Sequence, residues 1–143
     1  MNSNLITLST IDKLPKETVG QDVLRYIGLH DVLGKEKDTL LYFLGKQMAR
    51  KFEINNLEDL IYLFYTLRWG KLELVKEKKK YLTFHLMSDD IVERMNTSLD
   101  IDFRLEAGFI AETITFLMER PCECVETINE RLFLAEFKVH YLD

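Results

Sequence analysis

The sequence has only two cysteines, two prolines and one tryptophan, and it has no long run of apolar residues. Cys122 and Cys124 are too close along one extended segment for a disulfide framework, which agrees with a reducing compartment. No apolar run approaches the roughly 18 residues that a membrane-spanning helix needs. Residues 5–8 follow no basic segment and are too short for a signal peptide. We therefore expect a cytoplasmic protein without a membrane span.

Positive charge is not in excess, because 19 lysines and arginines stand against 24 aspartates and glutamates, for a net charge of −5. A domain of this sign has no general electrostatic attraction for nucleic acid. Its single basic cluster, KEKKK at 76–80, lacks the interleaved aromatic residues of a base-stacking surface. The cluster is most simply the solvated turn of a hairpin, with contact to an acidic partner or to nucleic acid as the less favoured alternative. We expect no nucleic-acid partner.

Recognisable catalytic motifs are also missing. No serine lies in a nucleophile elbow, and the sequence has no glycine-rich phosphate-binding loop. His30, His85 and His140 fall in different predicted elements. Cys122 and Cys124 share one face of a strand, but a zinc site needs two further ligands, so they are more simply small apolar residues. We expect neither catalysis, nor a metal site, nor another cofactor.

What remains is the composition of a soluble globular chain, with 47% hydrophobic and 30% charged residues. Its 143 residues suffice for one continuous core without metal or disulfide support. Residues 1–15 have few periodic apolar positions and end in a proline, so we interpret them as a flexible N-terminal arm. Residues 16–143 are predicted to form a single domain.

Helical spacing of apolar residues predicts three helices in the first half of the domain. They cover residues 17–33, 38–52 and 57–69. Asp38 or Thr39 is a candidate cap for the second helix, and Asn56 is a candidate cap for the third. The short connection between the second and third helices predicts that they are antiparallel neighbours.

The hydrophobic period then becomes alternating, which indicates strands. The predicted elements are a hairpin over 71–87 with its turn at 76–80, a short helix from Ser88 to about Met95, a helix over 102–118 and a final hairpin over 121–142. His85 and His140 fall on the polar faces of their strands, where they are either neighbours or simply solvated. The fold class is α+β: N-terminal helices, then hairpin-helix-hairpin, forming a four-stranded antiparallel sheet covered by helices.

The late helix contains LEAGFIAE at 105–112, and apolar residues line two roughly opposite faces of it. Such a helix is normally buried on both sides, here between the sheet and other helices or a partner subunit. Glu106 and Glu112 point about 120° apart, so they cannot form an acid–base pair. Each is expected to be solvated or paired with an arginine. Gly108 costs the helix about 1 kcal/mol relative to alanine, and close approach of another backbone is the usual reason.

Small residues mark a candidate helix contact or dimer interface. Gly45 and Ala49 lie one turn apart on the second helix, where intramolecular packing and dimer contact are equally compatible with the sequence. Gly108, Phe109 and Glu112 are the candidates on the late helix.

A second candidate site is a pocket mouth formed by Arg68, Trp69 and Glu106. The tryptophan either caps the core or lies at an opening. Arg68 would pair with an anion, with Glu106 or with Glu112.

Three segments together resemble a known family: LLYFLGKQMARKF at 40–52, RWGKLELVKEKKK at 68–80 and FRLEAGFIAE at 103–112. They are similar to the YslB-type family of small Firmicute proteins, and the likeness spans roughly residues 20–142. The resemblance implies the ligand-binding-domain fold of 4-vinyl-reductase-type proteins and transport-particle (TRAPP) subunits. Members of that superfamily often dimerise through helices, and some hold an apolar molecule or acyl chain between helices and sheet.

The sequence departs from the 4-vinyl-reductase-type pattern in two places. When Glu126 and Phe137 are matched to that pattern, Asn129 and Ala135 stand near the positions where it has cysteines. The resemblance therefore does not imply a cysteine-based metal or cofactor role. The late helix has Glu112 where a second small residue is common, which would crowd or charge a channel.

We expect a non-enzymatic, homodimeric protein-interaction module, held by a contact of at least about 1,000 Å² in total. The alternative is binding of a small apolar ligand or acyl chain between the helices and the sheet. That alternative predicts an internal cavity lined by the second, third and late helices.

Overall fold

The computed structural model describes residues 5–143, so the first four residues of the predicted arm lie outside the described part of the chain. Seven α-helices are described: α1 (Leu8–Asp12), α2 (Val19–Val23), α3 (His30–Leu33), α4 (Lys37–Ala49), α5 (Leu57–Thr66), α6 (Asp89–Met95) and α7 (Arg104–Met118). The strands are β1 (Lys71–Glu77), β2 (Tyr81–Met87), β3 (Cys122–Asn129) and β4 (Leu134–Tyr141). A π-helical stretch, Leu24–Leu29, joins α2 to α3, and a 3-10 helix, Gly34–Glu36, leads into α4. The predicted α+β class is confirmed.

The four strands form one antiparallel sheet in the order β1-β2-β4-β3. Leu72 pairs with Leu86 and Leu74 with Phe84, which confirms the predicted shared face of the first hairpin. The register shifts after Leu74, so β1 contains a bulge. The hairpin turn is shorter than predicted, because β1 continues to Glu77 and leaves only residues 78–80 between the strands.

α7 lies between the sheet and α4, as the two apolar faces of its sequence predicted. It packs on β3 on one side and on α4 on the other. The central core side chains, among them Phe84, Phe109 and Phe137, are fully buried. Each such side chain contributes roughly 1.5–3 kcal/mol by leaving water.

Two expectations about α4 were wrong. Its principal partner is α7, not α5, because the backbone approach described below places α4 on α7. Neither Asp38 nor Thr39 caps it, because the chain enters α4 directly from the preceding 3-10 helix and leaves no free helix start there. The predicted caps of α5 and α6 are confirmed, since Asn56 and Ser88 accept hydrogen bonds from the backbone N–H groups of their first turns.

The segment interpreted as an arm contains α1, and Leu14 after it is buried. Thr7 caps α1 by accepting a hydrogen bond from the backbone N–H of Thr10. Within residues 5–143, no helix is long and apolar enough to cross a membrane.

Candidate functional site

α4 and α7 cross with their backbones in contact at two glycines. A Cβ atom added to Gly45 would overlap the carbonyl oxygen of Leu105, and one added to Gly108 would overlap the carbonyl oxygen of Tyr42. Only residues without a side chain allow this approach. The helix propensity lost at both positions is therefore offset by a close contact within one chain.

The residues considered for a helix contact or dimer interface are mostly inside the monomer. Gly45, Ala49, Gly108 and Phe109 are buried between α4, α7 and the core. Glu112 is partly exposed. A second chain cannot reach the four buried residues unless the fold opens, so a contact between folded copies has to use other positions.

Glu106 belongs to a buried charged cluster at the start of α7, which we call the α7 cluster: Arg25, His30, Asp102 and Glu106. Arg25 donates two hydrogen bonds to Glu106, from Nη1 at 2.8 Å and from Nη2 at 2.6 Å. Its Nη2 also lies 3.3 Å from Asp102 Oδ1, and His30 Nε2 lies 2.6 Å from Asp102 Oδ2. The cluster ties the π-helical stretch and α3 to the first turn of α7.

The charges of the α7 cluster stabilise one another against burial. Burial by itself lowers the pKa of Arg25, but the Glu106 carboxylate, with a smaller contribution from Asp102, more than compensates and raises it above its usual value. Burial likewise raises the pKa of Asp102, but Arg25, with smaller contributions from a backbone hydrogen bond and His30, lowers it below its usual value. Two carboxylates at a helix start also interact favourably with the helix dipole. The arrangement is a structural ion-pair network, in which Arg25 Nε is buried without a hydrogen-bond partner.

Tyr42 of α4 covers the outer edge of the sheet at β3. Its hydroxyl accepts a hydrogen bond from the backbone N–H of Cys124 at 2.9 Å and donates to Glu123. Lys46 donates to the other Glu123 oxygen at 2.8 Å, and the Arg104 guanidinium lies 4.5 Å from the centre of the Tyr42 ring. α4 is thus anchored to the sheet as well as to α7.

In this chain, structural contacts involve three residues matched to, or near, the 4-vinyl-reductase-type pattern: Glu126, Asn129 and Ala135. Arg104 donates to Glu126 at 2.7 Å, and burial raises the pKa of Glu126. Asn129 shapes the turn between β3 and β4 by accepting from the backbone N–H of Arg131. Ala135 is fully buried opposite Ile128.

Glu112 pairs with Arg50, whose Nε donates to Glu112 Oε2 at 2.7 Å. The pair lies at the rim of a cleft of about 240 Å³, where the ends of α4 and α7 separate beyond the glycine crossing. Phe52, Ile54 and Phe116 form its apolar walls.

Arg68 is not the partner of either glutamate, which corrects the expectation from the sequence. Its Nε donates to Asp90 at 2.9 Å, and its Nη2 lies 3.4 Å from Glu17. The partners of Glu106 and Glu112 come instead from the π-helical stretch and from the end of α4. Arg68 has a left-handed backbone with a φ of 63°, at the point where α5 turns into the sheet.

The region behind Trp69 is filled by aromatic rings. Trp69 lies edge-on to Phe64 at 5.0 Å and to Phe109 at 5.4 Å, and the Phe52 ring lies 5.9 Å from that of Phe109. These side chains occupy the space between α5 and α7. Arg68, Trp69 and Glu106 therefore have three different environments: a surface ion pair, an aromatic cluster and the α7 cluster.

Both cysteines face α7 and are buried. Cys122 Sγ lies 3.3 Å from the carbonyl oxygen of Ala111, and burial raises the pKa of both thiols. Over residues 5–143, no group of three or more histidine, cysteine and acidic side chains is placed to hold a metal ion.

The two strand histidines are not neighbours. His85 pairs with Glu136 in the register of β2 and β4, with His85 Nε2 3.1 Å from a carboxylate oxygen, whereas His140 pairs with Tyr81. The two positions are four residues apart along β2, which separates the histidines by several strand positions.

The side of α4 that faces away from α7 is apolar and exposed. We define the α4 outer face as Leu40, Phe43, Leu44 and Gln47. The first three side chains are 43%, 56% and 42% exposed, and their spacing of three and four residues puts them on one side of the helix. The sequence alone does not reveal this face, because the apolar residues of α4 surround the helix and their pattern does not separate the buried side from the exposed one.

The partners in the α7 cluster were also missed. Arg25 and His30 are more than seventy residues from Asp102 and Glu106 in the sequence. Their pairing depends on how the N-terminal helices fold back onto α7. The spacing of residues near each position does not predict that path. The only local signal was that Glu106 lies beside an apolar stripe, which favours an arginine partner.

Comparison with known proteins places the chain among proteins of related sequence. Residues 18–140 match the family described as "Protein of unknown function (DUF2507)". "Uncharacterized protein YslB" of Bacillus subtilis is 31% identical over 125 residues, covering 87% of this chain and 84% of that protein. An uncharacterized protein of Methanocaldococcus jannaschii is 24% identical over 106 residues, covering 73% of this chain and 64% of that protein.

A solved structure supports the fold. The crystal structure of a vinyl-4-reductase family protein from Methanocaldococcus jannaschii superposes with a TM-score of 0.57, and all of both chains is covered at 16% identity. At this identity the likeness concerns the fold alone. The resemblance predicted from three sequence segments is confirmed: the chain is similar to YslB and belongs to the DUF2507 family.

Proposed function

We propose that this protein is a non-enzymatic, homodimeric interaction module, and that two folded copies associate through the α4 outer face. The observation that carries the proposal is three large apolar side chains exposed together on one side of a helix. Scattered exposed apolar residues are ordinary on soluble proteins, but a contiguous group is typical of an interaction surface.

The packing of α4 favours this surface as an interface. Backbone contact at Gly45 and Gly108 and the Tyr42 anchor hold the helix in place from the opposite side. A rigid helix loses little conformational freedom when a partner binds, so more of the contact energy appears as affinity. We expect a twofold contact with Phe43 near its centre.

Mutation of the centre of this face tests the proposal. Phe43→Asp should weaken self-association by about thirtyfold or more, because it places a carboxylate in the apolar centre of the contact. The measurement is the dimer dissociation constant by sedimentation velocity over a range of protein concentrations.

Tyr62→Asp is the matched control. Tyr62 is also an aromatic residue within a helix, and it is 67% exposed on α5. This variant should dimerise as the wild type does. A wild-type chain that sediments as a monomer at micromolar and higher concentration would refute the proposed dimer.

A cytoplasmic location and a non-enzymatic role belong to the same proposal. Cys122 and Cys124 are buried free thiols, which suits a reducing compartment. Among the ionisable groups described in the core, Glu106 and Asp22 both pair with an arginine. A reproducible turnover of any tested substrate by the purified, folded protein would overturn the non-enzymatic part.

A second candidate function is binding of a small apolar molecule. The cleft beside Phe52 and Phe116 favours it, because its walls are mostly apolar and Arg50 and Glu112 at its rim could hold a polar end. Its volume of about 240 Å³ suits only a small ligand. Native mass spectrometry of freshly purified protein tests this function, and Phe116→Ser should reduce the bound fraction. If no molecule copurifies and none binds on addition, this candidate is excluded.

A further inference from the structure

Two charged residues flank the α4 outer face symmetrically. Glu36 lies seven residues before Phe43, and Lys51 lies seven residues after Leu44. Glu36 is the last residue of the 3-10 helix before α4, and Lys51 lies in the turn just after α4, so the two charges stand at opposite ends of the α4 outer face. The face therefore has a negative end, an apolar centre and a positive end.

Unlike Lys37 and Arg50, which adjoin them on the α4 side, these two charges have no ion-pair partner among residues 5–143. Lys37 contacts Asp38 and Asp100, and Arg50 pairs with Glu112. Glu36 and Lys51 are both exposed, and neither takes part in an ion pair among residues 5–143. They are available for a second molecule.

We propose that the two copies pair through antiparallel α4 helices in a single register, in which Glu36 of each chain contacts Lys51 of the other. This inference rests on the proposed homodimer and specifies its geometry. The twofold axis passes between Phe43 and Leu44, so that Phe43 of one copy packs on Leu44 of the second. Leu40 then lies opposite Gln47, and two identical ion pairs close the ends of the contact.

The opposite orientation fits less well. Parallel helices would place Glu36 beside Glu36 and Lys51 beside Lys51, which is repulsive at both ends. A shallow antiparallel crossing of about 20° keeps both ends of a helix of this length within reach of long side chains. The flanking charges thus select both the direction and the register of the pairing.

Charge reversal tests the register. Glu36→Lys and Lys51→Glu should each raise the dimer dissociation constant about tenfold at low ionic strength, because each creates two like-charge contacts. The increase should shrink as salt is added. An equimolar mixture of the two variants should form a heterodimer with wild-type affinity, because both of its end contacts are again between opposite charges. Native mass spectrometry with one variant labelled with nitrogen-15 measures the heterodimer fraction.

Lys35→Glu is the matched control. It reverses a charge next to Glu36, but adjacent helical positions point about 100° or more apart, so Lys35 lies off the face. Its dissociation constant should equal that of the wild type, and the same tenfold increase in this variant would overturn the register.

The remaining outcomes separate the inference from the proposed function. If the wild-type chain dimerises but both single reversals leave the dissociation constant unchanged, the register is wrong and the homodimer stands. Preferential pairing of Glu36→Lys with the wild-type chain would indicate parallel helices and would also overturn the register. A wild-type chain that stays monomeric overturns both.

Discussion

The two halves of α7 use the same residue types in different ways. In the first half, Glu106 has 4% of its side chain exposed and is held by both terminal nitrogens of Arg25. In the second half, Glu112 has 24% exposed and meets only the Nε of Arg50, which is itself 54% exposed. Gly108 stands between them, where α4 touches α7. Before this crossing the N-terminal helices close over α7, and beyond it the helices separate into a cleft.

The difference teaches that the surroundings of an ion pair, and not its presence, decide its importance for stability. A buried pair whose partner is removed leaves a charge that cannot be solvated, whereas an exposed pair exchanges its partner for water.

The largest effect is expected from breaking the buried pair. Glu106→Gln leaves the Arg25 guanidinium buried with only Asp102 as a charged partner, so the free energy of unfolding should fall by about 3–5 kcal/mol. Urea denaturation at a fixed protein concentration measures it. The apolar double variant Arg25→Met with Glu106→Leu should recover part of the loss, because it removes both charges. An unchanged denaturation midpoint in Glu106→Gln would contradict the burial argument.

The next effect concerns the crossing itself. Gly108→Ala should lower the free energy of unfolding by about 1–3 kcal/mol, because the new Cβ overlaps the carbonyl of Tyr42. Alanine favours the helix by about 1 kcal/mol, so overlap has to exceed that gain. Gly20→Ala in α2 is the control, since its Cβ meets nothing within 4 Å. Equal stability changes in the two variants would show that the crossing is not tightly packed.

A smaller effect should appear on acidification. The pKa of Asp102 is lowered in the folded chain, so this group stabilises the fold above its ordinary pKa of 3.8 and loses that contribution as pH falls through the folded value. Unfolding free energy measured from about pH 5 to about pH 3 should therefore fall more steeply for the wild type than for Asp102→Asn. If the unfolding free energies of the two proteins fell equally with pH, that result would argue against a lowered pKa of Asp102.

The smallest effect is expected at the exposed pair. Glu112→Gln should leave the denaturation midpoint unchanged within measurement error, because both charges of the pair remain accessible to water. Thermal unfolding at low and high salt is the check. A large loss of stability would mean that the cleft end of α7 is as closed as its beginning.

The sequence predicted features that depend on neighbours along the chain. The alternation in β1 and β2 gave their shared apolar face, and Asn56 and Ser88 gave two helix starts. The two apolar faces of α7 predicted that it lies between two layers. The interpretation of Gly108 followed from its cost within an otherwise apolar helix.

Features that depend on the path of the whole chain could not be predicted. Arg25 reaches Glu106 because the N-terminal helices fold back onto the start of α7, and nothing near either residue encodes that return. The exposed side of α4 was hidden because apolar residues surround this helix, so only its placement on α7 distinguishes Phe43 from Leu41. The same placement made α7, rather than α5, the neighbour of α4.

The hydroxyl of Tyr42 also has a consequence for solubility. It occupies a backbone N–H on the outer edge of β3, and the bulge after Leu74 interrupts β1 at the other edge. An open sheet can grow by adding strands from further molecules, and this growth leads to aggregation. With one N–H of the β3 edge occupied by a phenol and the β1 edge made irregular by its bulge, edge-to-edge addition of further strands is disfavoured at both sides of the sheet.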